Sequence, residues 1–515
     1  MQTKTDVTAV NAESNVSAEL KAAIEKALYV GGRYEKGRGE PFAITNPATE
    51  AVIGYGVSAT DEEIDQAIAI ANHEQKRWQA LNALERAEKL HIAANRLREI
   101  TPQVAEMMTL EMGKPYKEAF DEVEWCITTF RYYAEIARHE AGKVLGPAVD
   151  RQLHYVIKEP LGVVVSILPF NYPLVLFAWQ AAAALAAGNA VIVKPSELTT
   201  QSTLLAMEAF EALGPGLVQC LPGYGEVGAR LTQSPDTHFV AFTGHLSTGQ
   251  KVARACADLF KPTLIEASGN DPFIVMPSAA LDVAARGGTF GAFLNCGQVC
   301  TSSERFYIHA DIYDAFVEKL VANTRQLRIG NGLEPVEIGP MASEAVRDRF
   351  EAIIQRAVEQ GAKVACGGQR PAAQTKGWFY EPTVLVDVTH EMDIVKDETF
   401  GPVACVIKVH SFEEAMQLAN QSKYGLGATI YTQDLSESIR ATNELQTGMV
   451  WVNAPLLDND AGPFGGRKMS GIGRELGAEG LDTFRHTKLV MIDPESTSQD
   501  FWWFPYADEE SYPHR

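Results

Sequence analysis

Between Val163 and Ala267, short β-branched runs alternate with helix-length segments, and this alternation limits the fold more than any other feature of the chain. Strands are expected at 163–168, 190–193, 217–221, 239–242 and 263–266, with helical stretches such as 203–213 and 249–260 between them. Strands joined through helices pair in parallel and need helices on both faces of the sheet. Ligands then bind beyond the carboxyl ends of the strands. Asn171, Lys194, Gly244 and Glu266 stand at those ends.

The flanking regions differ. From Asp61 to about Ala141 the apolar spacing is helical, as in Ala67, Ile70 and Ala71, then Leu90, Ala93 and Leu97. A second α/β region is expected over 272–471, with helices near 312–326 and 344–360 and strands near 403–409, 428–431 and 449–452. Leu161 to Val193 carries no charge and is long enough to span a bilayer. Pro169, Asn171 and Pro173 interrupt it early and Gly188-Asn189 late, so it reads as two buried strands around an apolar helix. Residues 1–40 read as a mobile arm without the apolar core of a signal peptide. The expected division is 41–142 and 160–265 as one domain, 266–475 as a second, and 143–159 with 485–515 as an arm and tail. That tail carries a strand at 487–492 and an aromatic cluster at 501–506.

A formal net charge of −21 argues against nucleic acid and anionic membrane surfaces as partners. Hydrophobic content of 46% and charged content of 22% fit an ordinary soluble protein, expected in the cytoplasm. Seven scattered cysteines with no C-x-x-C pair suit reduced thiols. No histidine–cysteine cluster is present, so no metal site is expected.

Two residues suggest covalent chemistry. Cys300 lies in Asn295-Cys296-Gly297-Gln298-Val299-Cys300-Thr301-Ser302, and Glu266 lies in Leu264-Ile265-Glu266-Ala267-Ser268-Gly269-Asn270. A thiolate can form a thioester, and a nearby carboxylate can activate the water that hydrolyses it. Gly223-Tyr224-Gly225-Glu226-Val227-Gly228 matches a dinucleotide fingerprint, but the acidic residue expected at the end of the next strand is missing. It reads as a strand-to-helix turn. The better phosphate candidate is Phe242-Thr243-Gly244-His245-Leu246-Ser247-Thr248-Gly249, where small residues meet a helix start.

These motifs, with Pro169-Phe170-Asn171-Tyr172-Pro173, Lys194-Pro195-Ser196-Glu197, Glu398-Thr399-Phe400-Gly401-Pro402, Pro463-Phe464-Gly465-Gly466 and Ser470-Gly471-Ile472-Gly473-Arg474-Glu475, follow one another in a known order. From about residue 40 to 495 the chain resembles the aldehyde dehydrogenase superfamily. The resemblance implies an α/β fold: a Rossmann-type cofactor domain, an α/β catalytic domain and a small β oligomerisation arm. Cys300 would be the nucleophile, Asn171 with the Cys300 N–H the oxyanion hole, and Glu266 the base for deacylation. Lys194 and Glu197 would hold the adenosine ribose, and Glu398 the nicotinamide ribose. Phe400 would pack by the nicotinamide ring, with Phe170, Gly244, His245, Gly249 and Ala267 completing the cofactor cradle. The implied cofactor is NAD, with NADP as the alternative, and the implied assembly is a homodimer or homotetramer.

Two departures from the family pattern stand out: Ala267-Ser268-Gly269-Asn270 after the base, and His245 where Ser is frequent. Cys296, four residues before Cys300, reads as a packing residue or as a partner that traps Cys300 under oxidation. The implied substrate is a small aldehyde, lined by Leu176, Trp179, Leu294, Val299, Thr301, Leu457 and Phe464. Phe177 lies on the same helix as Leu176 and Trp179. Glu124, Asp458 and Asp460 are carboxylates that could favour a hydroxyl or amine, and Arg131 and Arg286 are cations for an acid. A CoA-acylating enzyme of the same fold, a non-catalytic protein retaining the fold, and a cysteine hydrolase are the competing readings. Glu266 argues against the first, the retained Cys300 and Glu266 against the second, and the lack of a flanking His against the third.

Overall fold

The computed structural model describes residues 25–139, 141–499 and 503–504. Its first sheet runs Gly471–Ile472, Thr263–Glu266, Phe239–Thr243, Val163–Ile167, Ala190–Lys194, Val218–Cys220, Leu28–Val30 and Arg33–Glu35. The five central strands, from Thr263–Glu266 to Val218–Cys220, pair in parallel. Val163–Ile167 and Ala190–Lys194 are buried at every position, as expected when helices cover both faces. After Val163–Ile167 the chain adds two strands on one side, then returns to lay Phe239–Thr243 on the other. The crevice at that reversal is where a ligand has room to sit.

The uncharged stretch resolves into strand, helix and strand. Its helix, Pro173–Ala186, is only 14 residues long and buried throughout, and Pro173 opens it where its missing N–H costs nothing. Among the described residues no helix is long and apolar enough to cross a membrane. The long helical run is three helices, Asp61–Gln79, Ala83–Met112 and Tyr116–Ile136. Thr60 with Glu63, and Asn82 with Glu85, form capping boxes that start the first two. Gly113, at φ 91°, ends the second.

The second sheet has seven strands: Lys363–Cys366, Thr383–Val386, Val403–Val409, Ser303–His309, Asp271–Val275, Thr429–Tyr431 and Trp451–Val452. All pair in parallel except the first two. Its own core centres on Phe273 stacked against Phe306 at 4.7 Å. A smaller antiparallel sheet pairs Gly142–Leu145, Leu153–Pro160 and Arg485–Ile492. Val144, Leu489 and Met491 are exposed on it.

Two regions differ from the sequence reading. Leu28–Val30 and Arg33–Glu35, expected within the arm, form the far edge of the first sheet. Gly31 and Gly32, both left-handed, let these strands turn back so that Leu28, Tyr29 and Val30 bury their side chains. The aromatic cluster at 501–506 lies outside the described residues apart from Trp503 and Phe504, both exposed.

Asn189 ties the first core together. Its Oδ1 accepts from Gly162 N at 2.8 Å, and its Nδ2 donates to Ala184 O at 2.9 Å and Phe484 O at 3.0 Å. The residue is fully buried. Asn189→Ala should therefore destabilise the protein by about 2–4 kcal/mol, because Gly162 N and Phe484 O lose their partner, whereas Ala184 O keeps the Asn189 N–H. Calorimetry should show a lower Tm, and an unchanged Tm would contradict this reading.

Candidate active site

The loop carrying Cys300 begins where helix Leu281–Phe293 ends. Asn295, Cys296 and Gly297 follow with φ of 50°, 56° and 70°. Left-handed non-glycine residues cost about 1–2 kcal/mol each, so the surroundings must hold them. Asn295 Nδ2 donates to Asn171 O at 3.0 Å and to Gln298 O at 3.2 Å. Asn171 Nδ2 donates to Gln298 O at 3.0 Å. Gln298 Oε1 accepts from Ala342 N at 3.0 Å, and Glu118 Oε2 accepts from Asn295 N at 3.0 Å. The side-chain amide of Asn171 is thus anchored to the loop that presents Cys300.

Glu266 ends its strand. Its backbone is paired with Gly471, and Ala267 N donates to Ser470 O at 2.9 Å. Glu266 is buried, and neither carboxyl oxygen makes a hydrogen bond of ordinary geometry among the described residues. The Cys300 thiol lies beside it. Burial raises the Glu266 pKa well above the carboxylate range, and the neighbouring Glu475 raises it further. Glu475 itself is raised to about 8 by burial, while its Oε1 accepts from Gln180 Nε2 at 3.0 Å. The Cys300 thiol is pushed up by burial first and by Glu266 second. A neutral thiol facing a carboxyl of raised proton affinity is a resting pair that can exchange a proton.

Lys194 ends strand Ala190–Lys194, and Glu197 follows it. Among the described residues Lys194 Nζ donates only to its neighbour Pro195 O, at 2.7 Å. Glu197 is half-buried and lines a cavity of about 410 Å³ together with Leu198, Ser343, Asp348 and Trp378. Gly244 leads into helix Leu246–Ala257. His245 caps that helix, accepting from Ser247 N at 3.3 Å. A β-carbon on Gly249 would come to 3.0 Å from Ile265 and 3.3 Å from Phe242, so only glycine leaves this approach open. The small residues and the exposed helix start fit a dinucleotide. The Gly223–Gly228 stretch forms a turn into helix Gly225–Gln233, where Gly228 packs towards the Lys194 side chain. Glu398 accepts from Gly269 N at 3.0 Å, and Phe400 meets Phe170 edge-on at 5.8 Å. Glu398 has its pKa raised to about 8 by burial, then by Glu304.

A cavity of about 870 Å³ reaches the start of the Cys300 loop at Leu294. Leu294 borders it with Trp125, Tyr172, Glu118 and Phe290. Trp179 and Phe464 pack against each other at 4.6 Å, and Trp179 meets Trp125 edge-on at 5.9 Å. Leu176, Val299 and Thr301 are buried, whereas Leu457 is 70% exposed. Glu124 pairs with Arg98 at 3.1 Å, and Arg131 donates to Asn95 at 2.8 Å; neither lines the cavity. Arg286 does line it. Asp460 accepts from Thr129 at 2.9 Å. Sequence reasoning passed over Glu118, Glu304 and Glu475. Their sequence neighbours gave no signal, since Lys117, Arg305 and Arg474 stand beside them as beside any surface carboxylate, and burial decides what such a residue does.

A sequence profile of the aldehyde dehydrogenase family matches residues 34–490. The chain belongs to the aldehyde dehydrogenase family. Members of this family oxidise aldehydes to carboxylic acids with NAD(P)+, and that is the reaction class of this enzyme. It is 38% identical to an aminoaldehyde dehydrogenase of Malus domestica, covering 90% of this chain and 94% of the relative. It is 36% identical to a betaine aldehyde dehydrogenase of Amaranthus hypochondriacus, covering 93% and 98%. The NAD+ complex of a Bacillus cereus aldehyde dehydrogenase superposes with a TM-score of 0.89 at 36% identity, covering 93% of this chain and 99% of that one.

The raised Cys300 pKa makes a testable statement about the free enzyme. Alkylation of Cys300 by iodoacetamide, followed by mass spectrometry of its peptide, should accelerate with pH without a plateau below pH 9. Glu266→Gln removes a neighbouring negative charge and should move the profile to lower pH. A plateau below pH 8 in the parent enzyme would contradict the environment described.

Proposed function

We propose that Cys300 attacks the aldehyde carbon and that Glu266 manages the protons. The observation that carries this reading is the Glu266 carboxyl, buried beside the thiol with neither oxygen otherwise engaged. Glu266 takes the thiol proton as the C–S bond forms. Asn171 Nδ2 and the Cys300 N–H then stabilise the developing oxyanion, a contribution of about 3–4 kcal/mol for such a donor. Bound NAD+ supplies the hydride acceptor. Once hydride has left and a thioester remains on Cys300, Glu266 releases the thiol proton to solvent. Its carboxylate then takes a proton from the attacking water, and the acid departs as the Cys300 sulfur is displaced and reprotonated. The burial-raised proton affinity of Glu266 makes its carboxylate a stronger base than an exposed one. Passage of the thioester to CoA is the competing outcome, and a hydrolytic carboxyl at Glu266 disfavours it.

For the substrate we propose an aldehyde with a distal cation. Trp125 and Tyr172 line the larger cavity with Glu118, whose pKa is raised to about 8 mainly by burial. An ammonium there would lower that pKa and meet aromatic faces. The similarity to aminoaldehyde and betaine aldehyde dehydrogenases supports this choice. Glu197 would accept hydrogen bonds from an adenosine 2′-OH and repel a 2′-phosphate, so NAD+ is the preferred cofactor. We assign residues 41–142 and 160–265 to cofactor binding, 266–475 to catalysis, and 143–159 with 485–515 to assembly as a homodimer or homotetramer. The exposed Val144, Leu489 and Met491 support such pairing. Seven unpaired cysteines suit a cytoplasmic setting.

Cys300→Ala should abolish NADH production while NAD+ binding persists. Glu266→Gln should release one equivalent of NADH in a stopped-flow burst and then turn over about 10²–10⁴-fold more slowly. No burst would mean that Glu266 is needed to activate the thiol. Across a panel of straight-chain aldehydes, ω-amino members should show the highest kcat/KM, and Glu118→Gln should erase that preference. A preference for neutral or carboxylate-bearing aldehydes would refute the substrate assignment.

A further inference from the structure

We propose that Glu304 is a positioning residue that fixes loop 397–402, and with it Glu398 and Phe400, to the strand that follows the nucleophile loop. The inference rests on the reading of Glu398 and Phe400 as the nicotinamide side of the cofactor site.

Glu304 lies four residues after Cys300, in strand Ser303–His309, and is 2% exposed. A buried carboxylate is costly unless it is paired or well hydrogen-bonded. No cation forms an ion pair with Glu304 among the described residues. Its compensation comes from the loop. Thr399 N donates to both carboxyl oxygens at 3.0 Å, Thr399 Oγ1 donates to Oε1 at 2.7 Å, and Phe400 N donates to Oε1 at 3.0 Å.

Those donors surround a strained point. Phe400 has φ 52°, a conformation that a bulky residue keeps only when its neighbours over-determine it. Two successive N–H groups converging on one carboxylate around such a residue form an anion-holding nest. Other contacts hold the opposite side of the loop. Gly269 N donates to Glu398 Oε1, Arg349 Nη2 donates to Glu398 O at 3.0 Å, and Phe400 abuts Phe170. Removing Glu304 would free three donors on the nucleophile side while leaving these contacts in place. Glu398 and Phe400 would then shift relative to Cys300, but Lys194 and Glu197, on a different sheet, would not. The loss should therefore fall on the nicotinamide half of the cofactor alone.

Calorimetric titration of the full-length enzyme with NAD+ and with AMP separates the two halves, alongside kcat and KM. Glu304→Ala should raise the NAD+ Kd at least tenfold and lower kcat, while the AMP Kd and the alkylation rate of Cys300 in the free enzyme stay within twofold. Glu304→Gln keeps one acceptor oxygen and should fall between. Glu398→Gln tests the underlying reading: if it leaves NAD+ binding and kcat unchanged, the assignment of Glu398 fails and the role of Glu304 falls with it. If Glu398→Gln is impaired but Glu304→Ala matches the parent enzyme, only the inference about Glu304 is overturned. Equal weakening of AMP and NAD+ by Glu304→Ala also overturns it. Should Glu304→Ala not fold, Glu304→Gln and Thr399→Val decide, and parent-like NAD+ binding in both overturns the proposal.

Discussion

Gly269 packs its α-carbon against the carbonyl of Cys300, and Gly297 packs against the carbonyl of Gly401. At both places a β-carbon would overlap the facing oxygen. The base strand, the nucleophile loop and the cofactor-side loop therefore meet backbone to backbone. This approach brings the Glu266 carboxyl to the Cys300 thiol and lets Gly269 N reach Glu398. A larger residue at either position would separate segments whose chemistry depends on contact.

The close approach also concentrates carboxyls. Glu266, Glu475, Glu398, Glu304 and Asp271 are all buried, and burial is the leading cause of each raised pKa. Water cannot stabilise them there, so each depends on specific donors, and burial tightens the hold of each on its proton. Glu304 is satisfied by main-chain and hydroxyl donors, Glu475 on one oxygen by Gln180, and Asp271 in part by the Gly427 backbone. Glu266 alone among them has no partner for either oxygen except the Cys300 thiol. That difference separates the residue free to exchange protons from those that hold the architecture.

The two sheets are also physically joined. Gly471–Ile472 comes after the last strand of the second sheet, Trp451–Val452, yet it pairs with Ile265 and Glu266 at the edge of the first. Ser470 adds a hydroxyl bond to Ser268 O at 2.8 Å. The base is thereby clamped by a distant part of the sequence, and Glu475 follows from the same segment.

Much of this was legible in the chain itself. Strand–helix alternation gave the parallel sheet because uninterrupted β-branched runs can be buried only when both faces are covered. The uncharged stretch resolved around Pro173 and Asn189, because proline starts helices and a buried Asn must find partners. The order of motifs gave the family. Other features required the tertiary structure. Leu28–Val30 became a strand because a sheet edge was available to receive it, which no local pattern signals. Glu124 looked suited to the substrate side and instead pairs with Arg98, while Glu118, two turns earlier on the same helix, faces the cavity. Glu304 looked like any strand carboxylate until loop 397–402 closed over it. Residue type and spacing set what each segment can form, but the role of a carboxyl depends on which donors surround it and how much water remains. Those are properties of the packed chain.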